Sequence, residues 1–434
     1  MKRAWIVLAA LAACAARNLV GSVLQHDDGQ PLTDVSVHDV DLLFMIDNSR
    51  SMQPKQERLK AQFSTLIAKL GEFAASGHPA TYHIGVVTSD LAAGPLPSAG
   101  GGTAPSGTSG CRMNGSIRGD GGRLVNVGAA ADKSCRPIDS KGGGNFIVYD
   151  QLHSGADGLP SNNFPFGQDL KQTFSCMASV GDGGCGMEHQ LESVYQALQP
   201  PMLVPGGPNA GFLRDDALLV VVFLTDEDDC SAPPDTDLFA QDGYTLKDGR
   251  KAFDELGYFH SFRCTEWGIK CGGKRVARDQ MAARTDCQPL SQAEGGKLFD
   301  VQRYSEFFRN LKGDPRRVLL ASIAAPPDSV KTIFATCDKQ QGSYLQDAQS
   351  CGTTAPLNDN QCMAEGEPYQ MCSVVLQHSC QSQDAALFGD PAVRLSAVLS
   401  AQFAGNLPKH ATSICDDDYS ATLDDVAAKI RNVL

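Results

Sequence analysis

Val40-Asp41-Leu42-Leu43-Phe44-Met45-Ile46-Asp47-Asn48-Ser49-Arg50-Ser51-Met52 joins an apolar run to a cluster of oxygen-bearing side chains. Its apolar run is almost unbroken, as in a strand of a parallel sheet covered on both faces. The run stops at Asp47, Ser49 and Ser51. Open α/β sheets bind their ligands just beyond the carboxyl ends of their strands. A carboxylate and two hydroxyls at two-residue spacing are hard oxygen donors, suited to Mg²⁺, Mn²⁺ or Ca²⁺. Ser and Asp are also favoured helix caps, so capping of the next helix is the competing reading.

Leu218-Leu219-Val220-Val221-Val222-Phe223-Leu224 is a second unbroken apolar run, and it leads into Thr225-Asp226-Glu227-Asp228-Asp229. Asp47-x-Ser49-x-Ser51 together with Thr225-Asp226 resembles the metal-ion-dependent adhesion site of von Willebrand factor A (vWA) domains. The resemblance implies an α/β fold with a doubly wound, mostly parallel central sheet flanked by helices. It also implies that Ser49 and Ser51 contact a divalent cation directly, while Asp47 and Asp226 neutralise it, at least partly through water. An open coordination position would take a carboxylate from a protein or surface ligand. The family draws one more direct ligand, a threonine, from a region that here reads Gly181-Asp182-Gly183-Gly184-Cys185-Gly186. No threonine stands there. Asp182 is the candidate substitute and Glu188 the second; a solvated glycine turn pinned by Cys185 is the alternative. The run Asp226 to Asp229 reads as a solvated acidic loop, with a second cation site as the sharper possibility.

The N-terminus carries Lys2 and Arg3, a short apolar core, and then Leu11-Ala12-Ala13-Cys14. The core is too short to span a bilayer and has the shape of a secretory signal. Leu-Ala-Ala-Cys resembles the cleavage box of bacterial lipoproteins. That resemblance implies a signal at 1–13, a lipidated Cys14, a tether at 14–35, and placement in the cell envelope, with Ala15 favouring the outer membrane. The chain has 15 cysteines and no Cys-x-x-Cys. Zinc-ribbon and thioredoxin-type motifs are therefore missing, and disulfides in an oxidising compartment are expected. Beyond Cys14 an even number remains: Cys111, Cys135, Cys176, Cys185, Cys230, Cys264, Cys271, Cys287, Cys337, Cys351, Cys362, Cys372, Cys380 and Cys415. Spacing does not give their connectivity. Cys176 with Cys185 and Cys264 with Cys271 are short-loop pairings, and Cys415 bonded to Cys380 would tether the segment that enters the last helix.

A net charge of −13, without a basic stripe, disfavours nucleic acid as a partner and favours cations. Leu59, Phe63, Leu66, Ile67, Leu70 and Phe73 form one apolar helical stripe that ends near Ser76-Gly77. Strands are expected at 82–87 and 317–324, and helices at 167–180, 187–199, from Tyr304 to Leu311, from about Asp390, and from Leu423 to Leu434. Three segments break the pattern, at about 91–165, 231–300 and 328–385, and read as disulfide-stapled insertions into one domain spanning 36–434. Gly268-Ile269-Lys270-Cys271-Gly272-Gly273-Lys274-Arg275 nearly spells a P-loop, but Arg275 stands where Ser or Thr is needed. No Gly-x-Ser-x-Gly elbow or His-Glu-x-x-His helix is present. The expected role is binding through a divalent cation. A metal-dependent envelope enzyme and an assembly subunit with a degenerate site are the alternatives.

Overall fold

The computed structural model describes residues 38–93, 113–114, 117–138, 144–152, 162–240, 245–257, 260–338, 343–345, 372–383, 386–402 and 412–432. The signal, Cys14 and the tether lie outside them, as do Cys111, Cys351 and Cys362. Five strands make the central sheet: β1 (Asp39–Ile46), β2 (Thr81–Thr88), β3 (Ile147–Asp150), β4 (Leu218–Leu224) and β5 (Val318–Ile323). Their order is β5-β4-β1-β2-β3. β1 sits in the middle, paired in parallel with β2 and with β4, and β4 pairs in parallel with β5.

The apolar run of β1 is continuous because each of its faces meets a core. Val40, Leu42, Phe44 and Ile46 pack with helices α1 (Gln53–Ala75), α2 (Leu170–Ala178) and α6 (Ser420–Arg431). Leu43 and Met45 face the other way, toward α3 (Gln190–Ala197), α4 (Gln302–Leu311) and α5 (Val393–Gln402). Asp41 is the one acidic residue within this run and is fully buried on the strand. Arg214 answers it with its backbone N–H and its Nε, each at 2.8 Å. The expected stripe on α1 is buried at Leu59, Phe63, Leu66, Leu70 and Phe73, and the helix stops before Gly77 at φ +93°. That left-handed backbone is one that glycine adopts without penalty.

The expectation of a doubly wound, mostly parallel sheet is corrected. β3 pairs antiparallel with β2, from Thr81↔Asp150 to Ile84↔Ile147, so the sheet is mixed. Among the described residues, four further small sheets accompany it, and the pairings within them are antiparallel. The physical reason lies in the connections. A parallel partner needs a crossover, whereas β3 arrives from the glycine-rich stretch after β2 with no α-helix among its described residues and returns alongside it. The stretch read as an insertion at 91–165 therefore contributes a strand of the central sheet.

The other two insertions build structure of their own. Strand Val330–Asp338 pairs with Cys372–Gln377 and with Ala282–Arg284, which joins the second insertion to the third. Phe262, Ile269, Val276, Val330, Val374 and Val393 form a shared core beneath that junction. Disulfides Cys135–Cys176, Cys230–Cys264, Cys271–Cys287 and Cys380–Cys415 staple these segments. The short-loop pairings Cys176–Cys185 and Cys264–Cys271 are thus replaced by others, because the cysteines meet across packed segments rather than across the nearest turn. Cys185 is also disulfide-bonded, while Cys337 and Cys372 lie on neighbouring antiparallel strands. Among the described residues no helix is long and apolar enough to cross a membrane.

The aromatic centre of the first core gives a direct stability test. Phe63 stacks on Phe174 and meets the Phe44 ring edge-on. Phe63→Ala should cost about 3–5 kcal/mol in urea unfolding of the oxidised protein, since a fully buried ring leaves a cavity. A loss below about 1 kcal/mol would mean that α1 does not pack on the sheet in this way.

Candidate cation-binding site

The register of the sheet brings the two motif loops together. Ile46 lies opposite Leu224, so Asp47 and Thr225 leave adjacent parallel strands side by side. The Asp47 N–H donates to the Leu224 carbonyl at 3.0 Å, and the Thr225 hydroxyl donates to Asp47 Oδ2 at 2.8 Å. Asp47 Oδ1 accepts from the Ser49 N–H at 2.8 Å and from the Ser89 hydroxyl, just past the end of β2, at 3.1 Å. Three strand ends thus converge on one carboxylate that is wholly buried.

Ser49 stands at the N-cap of the short 3-10 turn Arg50–Met52 and makes no side-chain cap bond. Its Oγ is buried without a hydrogen-bond partner among the described residues. Capping therefore does not account for Ser49. Asp226 is 1% exposed; its Oδ2 pairs with Lys55 Nζ, and its Oδ1 has no partner among the described residues. Buried polar atoms are normally satisfied, so two orphaned oxygens at adjoining strand ends call for an explanation such as an ion. Ser51 is half-buried, and its carbonyl accepts from Lys55 Nζ at 3.1 Å.

The glycine-rich loop also reaches this point, though not through the residue expected. Gln56 Nε2 donates to the carbonyls of Asp47 and Gly181, at 2.9 and 2.8 Å. Gly184 donates its N–H to the Asn48 carbonyl at 2.8 Å. A Cβ on Gly184 would lie 2.3 Å from Asn48 Oδ1, so any larger residue there would have to displace the buried Asn48 side chain. Asp182 is exposed on the same loop. Glu188, the second candidate, is 1% exposed and lies close enough to Glu227 and Asp47 for their charges to act on it.

Sequence reading missed several groups around the carboxylates. Lys55 is fully buried, with Nζ on Asp226 and 3.9 Å from the centre of the Phe388 ring. A signal for it existed: Lys55, Leu59 and Phe63 follow one another at four-residue spacing, so the lysine continues the buried stripe. Asp390 donates its N–H to the Asp226 carbonyl at 2.7 Å and carries His378 on its own side chain at 2.7 Å. Asp228 and Asp229 form neither a solvated loop nor a second cation site. Asp228 accepts from the N–H groups of Arg394 and Leu395 at the start of α5. Asp229 accepts from the Leu191 N–H in α3 and pairs with buried Arg394. They hold two helices against the sheet.

The electrostatics follow from burial. Burial first, then the charge of Asp226, pushes the Asp47 carboxyl up to about 6. Burial raises Glu188 well above the ordinary glutamate range, with Glu227 and Asp47 adding to the effect. Glu227 is raised by burial, then by Asp390 and Asp226. Asp390 is raised by burial in spite of the His378 hydrogen bond. Buried carboxyls crowd this point with one ammonium, that of Lys55, among them, and such crowding is relieved by protons or by a cation.

No three His, Cys, Asp or Glu side chains among the described residues stand where they could together hold a metal ion. The strand ends offer instead a mixed set, with Ser49 Oγ and Asp226 Oδ1 open and Asp47 beside them. Hydroxyl and carboxylate oxygens of this kind fit a hard divalent cation and do not fit a thiophilic one.

No protein-family model and no curated protein matches the chain. Among solved structures, the adhesive tip pilin GBS104 from Group B Streptococcus agalactiae is 12% identical, over 44% of this chain and 46% of that one, at a TM-score of 0.17. The pilus adhesin RrgA from Streptococcus pneumoniae is 10% identical, over 64% of this chain and 32% of that one, at a TM-score of 0.20. The chain spans less than half the length of either, and likeness at this level carries nothing about fold or role.

The raised carboxyls make a prediction about pH. A carboxyl whose folded pKa exceeds its unfolded value contributes stability that is complete below 3.8 and is lost as pH rises through about 6, taking Asp47 as the case. In chelator, the protein should therefore lose stability between about pH 4 and pH 7, with Asp47 contributing on the order of 3 kcal/mol. Urea midpoints across that range read the effect. Asp47→Asn should flatten the profile, and an equally steep profile in the variant would contradict the assignment.

Proposed function

We propose that the protein binds an acidic group of a protein or surface ligand through a divalent cation held by Asp47, Ser49, Ser51 and Asp226. The observation that carries this reading is the pair of buried, unpartnered oxygens, Ser49 Oγ and Asp226 Oδ1, beside the Asp47 carboxylate at two adjoining strand ends. Mg²⁺, Mn²⁺ and Ca²⁺ suit that donor set. In this reading the protein is a binder rather than an enzyme, of the vWA type its motifs resemble. The cation supplies a Lewis-acidic position for a carboxylate. Asp47 is held in orientation by Thr225, Ser89 and the Ser49 N–H.

Export and a lipid anchor at Cys14 belong to the same proposal. Four disulfides among the described residues support an oxidising compartment. The Cys380–Cys415 bond ties the chain shortly before α6 and supports a site of fixed affinity rather than one switched by movement of that helix. The second reading is an assembly subunit whose site takes no metal, and the observation in its favour is Lys55 on Asp226.

Calorimetry separates the two. Mg²⁺ or Mn²⁺ added to the purified protein should give one saturable site, weakened on the order of tenfold or more in Asp47→Asn, about 1.4 kcal/mol per decade. Equal affinities for wild type and variant would remove Asp47 from the site. Absence of heat in the wild type would favour the assembly subunit.

A further inference from the structure

Lys55 is the one feature that the cation reading does not absorb. Lysine is almost never fully buried unless paired, and this one has no exposed side-chain surface. Its ammonium has three partners: Asp226 Oδ2, the Ser51 carbonyl and the face of Phe388. All three surround the donors assigned to the metal. Phe388 is itself held in place, since Phe388–Gly389 pairs with Cys380–Gln381 and Cys380 is bonded to Cys415. The segment just after the third insertion thus forms one wall of the lysine's pocket.

An ordinary structural ion pair would leave no charged oxygen idle, because an unpaired atom of a buried charge is costly. Here Asp226 Oδ1 and Ser49 Oγ have no partner among the described residues although the lysine is in place. The ammonium covers half of the Asp226 carboxylate and leaves the rest of the donor set open.

We infer that Lys55 is a tethered internal cation that competes with the divalent ion for Asp226 and sets the metal affinity of the site low. The inference rests on the cation-binding reading above and concerns the regulation of that same site. Two positive groups seeking one buried carboxylate repel at short range, and little water is present to screen them. Metal entry therefore requires the ammonium to draw back from Asp226 Oδ2. The Ser51 carbonyl and the Phe388 ring, both already in contact with it, give it a place to stay. The consequence is a site that fills where divalent cations are abundant and is held by the chain's own lysine where they are scarce.

Mg²⁺ titration calorimetry of wild type and Lys55→Met tests this. The variant should bind on the order of tenfold tighter or more, since the competing charge is gone. Equal affinities would overturn the competition while leaving the cation reading intact. Weaker binding by the variant would also overturn it, by making Lys55 a support of the site. No binding by either protein would overturn both. Lys55→Met leaves Asp226 without its partner and can fail to fold, so a second measurement uses the wild type. With ¹³Cε-labelled lysine, the Lys55 signal, assigned by its loss in Lys55→Arg, should shift on saturation with Mg²⁺. A Lys55 signal that stays fixed while Mg²⁺ binds would overturn the inference.

Discussion

Two carboxylates, Asp47 and Asp226, are buried at the ends of adjacent parallel strands, and one ammonium, that of Lys55, stands against Asp226. Most of what surrounds them is arranged to make that burial tolerable. Thr225, Ser89 and the Ser49 N–H hold Asp47, while Gln56 ties the Asp47 carbonyl to the glycine-rich loop. The strands could not end elsewhere without exposing apolar residues, because β1 and β4 are covered on both faces along their length. A site of this kind holds its acidic groups in a place where water would otherwise solvate them. The raised carboxyls of Asp47, Glu188, Glu227 and Asp390 are the direct result.

The insertions belong to this arrangement rather than hanging from it. The second and third share a core at Phe262, Val330 and Val374, and the segment between the third and α5 brings Phe388 to Lys55 and Asp390 to the Asp226 carbonyl. Arg394 reaches from α5 to Asp229, and Asp228 caps the same helix. The acidic run after β4 thus divides its work. Asp226 and Glu227 face the site, whereas Asp228 and Asp229 anchor two helices.

The parts legible in the sequence were those that rest on periodicity. The unbroken runs of β1 and β4 and the stripe on α1 could be read because burial on two faces, or on one helical face, leaves a direct pattern. That Asp47, Ser49 and Asp226 lie near one another was implied by the resemblance of their two motifs to a known metal site, and adjacent strand ends place Asp47 beside Thr225-Asp226. β3 was not legible: Ile147–Asp150 is four residues long and lies among glycines, and an edge strand of that length has no period to detect. Its antiparallel direction makes the sheet mixed, where a doubly wound, mostly parallel one was expected. Asp182 lies exposed on the glycine-rich loop, which meets the strand ends through the backbone of Gly181 and Gly184. Disulfide partners were hidden because connectivity depends on packing; Cys176 finds Cys135, not Cys185. Lys55 was visible as a charge on an apolar stripe and becomes meaningful once Asp226 is placed beside it.

The proposed function requires that the strand-end oxygens hold a divalent cation. Crystals of the protein grown with Mn²⁺, measured at a wavelength where manganese scatters anomalously, test it most directly. The account predicts an anomalous peak within about 2.5 Å of Ser49 Oγ, with Asp47 and Asp226 bound directly or through water. It also predicts that the Lys55 ammonium is drawn away from Asp226 Oδ2. An ordered site with no peak and Lys55 still seated on Asp226, at Mn²⁺ concentrations in the millimolar range, would contradict it.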